Sequence, residues 1–204
     1  MKNLFLASSF AEVVELFKKT EKGLAKNKTV TFIPTATLHE EVTFFVEDGK
    51  NALEKLGLIV DTLEISSAKN SEIERKLKDN DYIYVTGGNT FFLLQELRRT
   101  QADKIIIDQI LSGKLYIGES AGSMILSPNI EYVMEMDDYK VAPNLKSFEA
   151  LGLIDFYPLP HHTNFPFKEI TENIISRHSE KIKLYPFSNT QAICVKGKNI
   201  ELIE

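Results

Sequence analysis

At 204 residues, 43% of them hydrophobic and 26% charged, the chain has the size and make-up of one globular domain, 1–204, with a substantial core. A formal net charge of −5 without a basic cluster argues against a nucleic-acid surface, and no run approaches the ~20 apolar residues of a membrane span. The single cysteine, Cys194, excludes an intramolecular disulfide and fits a reducing, cytoplasmic setting.

In chain order, Lys2 to Ala7 reads as a first strand; its short apolar run, with Glu12 and Glu15 close behind, does not make a secretory signal. Val13, Val14, Phe17 and Leu24 fall at helical spacing and predict a helix within Phe10 to Leu24. Thr29 to Ile33 is β-rich and stops at Pro34. Glu40 to Leu56 is helical in pattern, with Val42, Phe45, Val46, Leu53 and Leu56 on one side and Gly57 as its C-terminal stop. A third strand, Leu58 to Ile65, leads to a polar helix, Ser71 to Asn80, and a fourth strand, Asp81 to Thr86, ends at Gly87-Gly88-Asn89-Thr90. Two helices follow, Phe91 to Arg98 and Asp103 to Leu111, and then a buried strand at Leu115 to Ile117. This alternation predicts an α/β fold with a mostly parallel, doubly wound sheet.

Beyond residue 126 the alternation breaks. Pro128 to Asn144 mixes apolar, acidic and turn residues and predicts a hairpin or a lid. Gly152 to Leu159 reads as a strand, Lys168 to His178 as a helix, and Ile182 to Pro186, Gln191 to Lys196 and Asn199 to Ile203 as closing strands.

The stretch Lys114 to Leu126, KLYIGESAGSMIL, carries the chemistry. Gly-x-Ser-x-Gly between a strand and a helix is the pattern of a nucleophile elbow, in which small neighbours let the chain turn sharply and leave Ser120 projecting above the sheet edge. The amide of Ala121 then points where an oxyanion develops. In an open parallel sheet, ligands bind beyond the carboxyl ends of the strands, which selects Pro34 to His39, Thr86 to Thr90, Gly118 to Gly122 and Pro160 to Asn164. Gly87, Gly88 and Asn89 either bring a backbone that approaches substrate closely, with Gly88 as the second oxyanion donor, or form a plain turn before a helix that Asn89 or Thr90 caps. Pro160-His161-His162-Thr163-Asn164 supplies the base that a serine needs. Neither histidine lies in a metal-ligand motif, so no metal and no cofactor is expected. Glu131, Glu135, Asp137, Asp138 and Asp155 are the acids between serine and histidine, with Glu135 the first choice as the group that orients the imidazole.

With the elbow, the Gly-Gly-Asn-Thr loop and Pro-His-x-Thr-Asn in this order, nearly the whole chain resembles the serine peptidase family of aspartyl dipeptidase (peptidase E) and cyanophycinase. The resemblance implies a flavodoxin-like, class I glutamine amidotransferase-like domain, with Ser120 as nucleophile, His161 as base and Gly88 in the oxyanion hole. It also marks two departures. The family's acid comes late in the chain, and the matching stretch here, Tyr185 to Gln191, holds no acid. Its Asn189 can instead orient the imidazole by accepting a hydrogen bond, with Glu135 as the alternative from the other side. The helix that carries a substrate-binding arginine has here only Lys168 near its start and Arg177 near its end. The expected activity is that of a serine exopeptidase of dipeptidase type, acting on short peptides. Two other readings stand beside it: a catalytically idle relative that binds a small ligand, and an esterase or isopeptidase. Apolar helix faces are compatible with a homodimer.

Overall fold

The structure, a computed structural model, describes residues 1–21 and 27–204. A seven-stranded sheet runs through it: β1 (Asn3–Ala7), β2 (Thr29–Ile33), β3 (Ile59–Thr62), β4 (Tyr82–Val85), β5 (Leu115–Glu119), β8 (Ala192–Lys196) and β9 (Asn199–Ile203), in the order β3-β2-β4-β5-β1-β8-β9. Strands β1 to β5 are mutually parallel; β8 and β9 are antiparallel additions beside β1.

The period of two along the central strands sorts the core into two layers. Leu4 and Leu6 of β1, Ile83 and Val85 of β4 and Tyr116 of β5 face α3 (Asn70–Asp79), α4 (Thr90–Thr100) and α5 (Ala102–Leu111). Phe5, Tyr84, Leu115 and Ile117 face the other way, against α1 (Val14–Thr20) and α2 (Phe44–Lys55). On that side Phe5, Phe10 and Phe17 pack edge to face at centroid distances of 4.9 to 6.2 Å. Each such ring buries surface worth roughly 2–3 kcal/mol. Because β1 and β5 are covered on both faces, their sequences read as apolar runs and their carboxyl ends are held rigidly.

Several elements differ from the sequence expectation. The first helix begins at Val14 rather than Phe10, and Leu24 lies outside the described residues. The second begins at Phe44, so Val42 is 58% exposed on the approach and not on the buried side. Residues 128–144 form neither hairpin nor helix but two 3₁₀ turns, Glu131–Val133 and Tyr139–Val141. The apolar run 152–159 yields only the short β6 (Tyr157–Leu159), and β7 (Leu184–Pro186) does not join the main sheet. The two pair with each other in parallel, as a separate two-stranded sheet linked by α7 (Lys168–His178). No described helix is long and apolar enough to cross a membrane.

Candidate active site

Strand β5 ends at Glu119, and one helical turn, α6 (Ala121–Met124), starts immediately. Ser120 sits between them at φ 47°, ψ −107°, a region that L-residues rarely adopt and that costs on the order of 1–3 kcal/mol. The surroundings over-determine it. The Ser120 amide donates to Ala7 O at 2.9 Å, and its carbonyl accepts from Ser123 N and Met124 N at 2.8 and 3.0 Å. Ser123 Oγ lies 2.9 Å from both Ala7 O and Gly118 O, and Tyr116 OH donates to Gly122 O at 2.7 Å. The flanking glycines have a steric reason. A Cβ on Gly118 would stand 2.5 Å from Gly122 O, and one on Gly122 would stand 2.2 Å from Val85 O.

His161 reaches Ser120 from a different part of the fold. Because β6 and β7 are parallel, the loops leaving their carboxyl ends emerge side by side, one carrying His161 and the other Asn189. They are laced together: Phe187 N donates to Leu159 O at 3.1 Å, His162 N to Phe187 O at 3.1 Å and Asn189 N to Asn164 Oδ1 at 2.9 Å. His161 itself lies at φ 63°, with its ring stacked on Phe167 at 4.6 Å. Its Nε2 is 2.9 Å from Ser120 Oγ, and its Nδ1 is 2.9 Å from Asn189 Oδ1. Burial lowers the imidazole pKa, and the Asn189 hydrogen bond opposes that only in part. The lowered pKa favours the neutral ring, and an Nδ1–H donated to Asn189 Oδ1, which can only accept, leaves the Nε2 lone pair facing Ser120.

Of the candidates named from sequence, Ser120, His161 and Asn189 meet. Glu135 does not: its Oε1 accepts from Arg177 Nη1 at 2.6 Å, at the outer side of α7. Asp137 instead accepts from Thr90 N at 2.8 Å, at the start of α4, and Asp138 from Lys140 N. His162 turns away to Glu172, 3.1 Å from its Nε2. Gly87 abuts Ser120, since a Cβ there would lie 3.2 Å from Ser120 Cβ. Gly88, at φ 122°, packs so tightly that a Cβ would stand 2.3 Å from Ala36 O. Neither the Gly88 nor the Ala121 amide takes part in the turn, loop and cap hydrogen bonds of the described residues. Asn89 uses its side chain as a helix cap, the alternative to a substrate-side role: its Oδ1 accepts from Phe92 N at 2.9 Å at the start of α4, and its Nδ2 donates to Asp138 O. Among the described residues no cluster of three or more His, Cys, Asp or Glu side chains suits a metal ion.

Sequence reasoning missed two residues. Ser8, one residue past β1, lies with its Oγ 2.9 Å from His161 Nδ1 and 2.6 Å from Asn189 Oδ1. The signal was available, because the rule that ligands bind beyond strand carboxyl ends selects β1 as readily as β5. Glu119, beside the serine in sequence, is buried under the elbow. It accepts from Phe10 N at 2.9 Å and Tyr84 OH at 2.8 Å, and desolvation pushes its pKa up to about 7.

A family model described as peptidase family S51 matches residues 4–203. An uncharacterised peptidase of Listeria monocytogenes is 58% identical over 200 residues, covering 98% of this chain and 97% of the relative. A peptidase E of Shewanella amazonensis is 33% identical over 134 residues, covering 66% of this chain and 54% of the relative. A crystal structure of a Listeria monocytogenes EGD-e protein, assigned provisionally to peptidase E, superposes with a TM-score of 0.96 at 57% identity, covering 100% of this chain and 98% of that one.

Proposed function

The chain belongs to peptidase family S51 and is a serine-type peptidase, and from that premise we propose that it is an exopeptidase of short peptides whose nucleophile is Ser120 and whose general base is His161. The observation that carries this reading is the 2.9 Å contact between Ser120 Oγ and His161 Nε2, made by a serine held in a strained elbow conformation. Ser120 Oγ attacks the carbonyl of the scissile bond as His161 Nε2 takes its proton. The N–H groups of Gly88 and Ala121 donate hydrogen bonds to the carbonyl oxygen as negative charge builds on it. His161 then hands the proton to the leaving amine, and water, activated by the same imidazole, hydrolyses the acyl-enzyme. Asn189 Oδ1 accepts from Nδ1–H throughout, which keeps Nε2 free to act as the base.

An electrophilic phosphonate and a panel of dipeptides and aminoacyl amides test this reading. Wild type is expected to be labelled at Ser120 and to turn over at least part of the panel. Ser120→Ala should lose labelling and at least about 10³-fold of turnover while keeping its melting temperature. A folded wild type that neither reacts with the phosphonate nor cleaves any substrate would leave the idle, ligand-binding relative as the better reading. Turnover of esters or isopeptides alone would leave the third.

A further inference from the structure

We infer that Ser8 is a positioning residue of the catalytic site: its hydroxyl and the Asn189 amide together form a neutral, two-oxygen acceptor for His161 Nδ1–H, in the place where a carboxylate would stand. The inference rests on His161 being the base.

Three contacts converge on one oxygen. Ser8 Oγ accepts from the His161 backbone N–H at 2.9 Å, lies 2.9 Å from the ring Nδ1, and donates to Asn189 Oδ1 at 2.6 Å. A hydroxyl has one proton and two lone pairs. With the proton on Asn189 Oδ1 and one lone pair on the main-chain amide, the second lone pair faces Nδ1. When His161 takes the serine proton, both ring nitrogens carry hydrogen, and Nδ1–H must find an acceptor. Asn189 Oδ1 and Ser8 Oγ are both there, and the Ser8 proton tethers the amide oxygen in its accepting position. The same hydroxyl holds the backbone of a residue at φ 63°, so ring and main chain are fixed from one point.

Ser8 is also built not to move. It is 1% exposed. On one side of it, Ala7 O accepts from the Ser120 amide at 2.9 Å; on the other, Phe10 N is tied to the Glu119 carboxylate at 2.9 Å. Nucleophile and positioning hydroxyl thus hang from the carboxyl ends of two adjacent parallel strands, β5 and β1, with Ala7 paired directly to Glu119. No new bond or electron transfer is involved. The dyad stabilises the imidazolium that forms with the tetrahedral intermediate and releases it as the leaving amine departs.

The test combines kinetics on the full chain with NMR titration of the His161 ring, assigned by difference from His161→Gln. A hydrogen bond to a charged group sets the expected size of the effect: in Ser8→Ala, kcat falls roughly tenfold to a hundredfold with KM within about twofold. The His161 pKa moves further down. Ser8→Thr, which keeps the hydroxyl, restores both. Ser8→Cys, nearly equal in volume but a weak acceptor, shifts them as alanine does and serves if Ser8→Ala is poorly folded. In an Asn189→Asp background a full charge accepts Nδ1–H, and loss of the Ser8 hydroxyl then lowers kcat by less than about threefold. An unchanged His161 titration in Ser8→Ala overturns the inference, as does a kcat loss equal in both backgrounds, which marks a merely structural serine. The titration decides the matter even if wild type proves inactive, in which case only the catalytic reading of Ser120 and His161 fails.

Discussion

Asn189 offers the His161 imidazole a neutral oxygen at 2.9 Å, so no local negative charge compensates the burial that lowers the ring's pKa. The activity consequence has a definite sign. With His161 as the proposed base, turnover needs its ring neutral, so the acidic limb of the pH profile of kcat/KM should fall below the ordinary histidine value of about 6.5. Asn189→Asp places a carboxylate against the imidazolium and should move that limb upward by about 1 unit or more. A limb that stays put in this variant would mean that Nδ1 does not face position 189 in solution. Glu119 acts on stability in the opposite direction. Its folded pKa, about 7, stands above its ordinary value of 4.5, so the folded state holds a proton that the unfolded chain releases. The stabilisation is complete below pH ~4.5 and is lost as pH rises through ~7. Glu119→Gln should remove this part of the pH dependence, which amounts to roughly 3 kcal/mol across the window. Urea melts of both proteins at pH 5 and pH 8 would measure it.

At the scale of elements, the elbow depends on how closely α6 approaches β4 and β5. A single turn has too few aligned peptides for a large macrodipole, so in the proposed mechanism it serves the oxyanion through the local Ala121 amide alone. Glycine at 118 and 122 is a requirement of backbone contact: the atoms a Cβ would meet at 2.5 and 2.2 Å are carbonyl oxygens that no rotamer change can move. Gly122→Ala should therefore cost on the order of 2–4 kcal/mol, read as a fall in the urea midpoint, and should reduce phosphonate labelling of whatever folds. Gly87→Ala is a milder probe. Its Cβ would touch Ser120 Cβ at 3.2 Å and Phe45 at 3.4 Å. Activity should drop far more than stability, and comparing kcat/KM with the melting midpoint would show the split.

Over the whole molecule, Ser8, Ser120, His161 and Asn189 come from the carboxyl ends of β1, β5, β6 and β7. Ser8 and Ser120 belong to the seven-stranded sheet, whereas His161 and Asn189 ride on the two-stranded one. The join is dense, with Ile125, Leu126, Leu153, Phe156, Leu159 and Phe187 buried in one common core with β1 and β4 residues. Activity and far-UV circular dichroism should accordingly vanish together in urea, as one cooperative transition. Loss of activity at clearly lower urea would show that the β6–β7 unit opens on its own.

What the amino-acid sequence determined by itself was local in origin. Period-two and period-3.6 hydrophobicity announced most strands and helices, and α7 and β9 carry the expected bounds. Gly-x-Ser-x-Gly marked the elbow, because only small residues permit that turn. Pro-His-x-Thr-Asn and the late Asn189 were visible as residue types in the right order. The tertiary structure decided which groups touch. Nothing in the local pattern distinguishes β7, which leaves the main sheet, from β8, which closes it, because pairing is a choice among partners distant in sequence. That choice sets His161 beside Asn189 and leaves Glu135 with Arg177. Ser8, 112 residues before Ser120 and 153 before His161, reads in the sequence as an ordinary polar residue ending a strand. Its place at the imidazole exists only because β1 lies next to β5 in the folded sheet, a contact made by long-range packing and not by any neighbour along the chain.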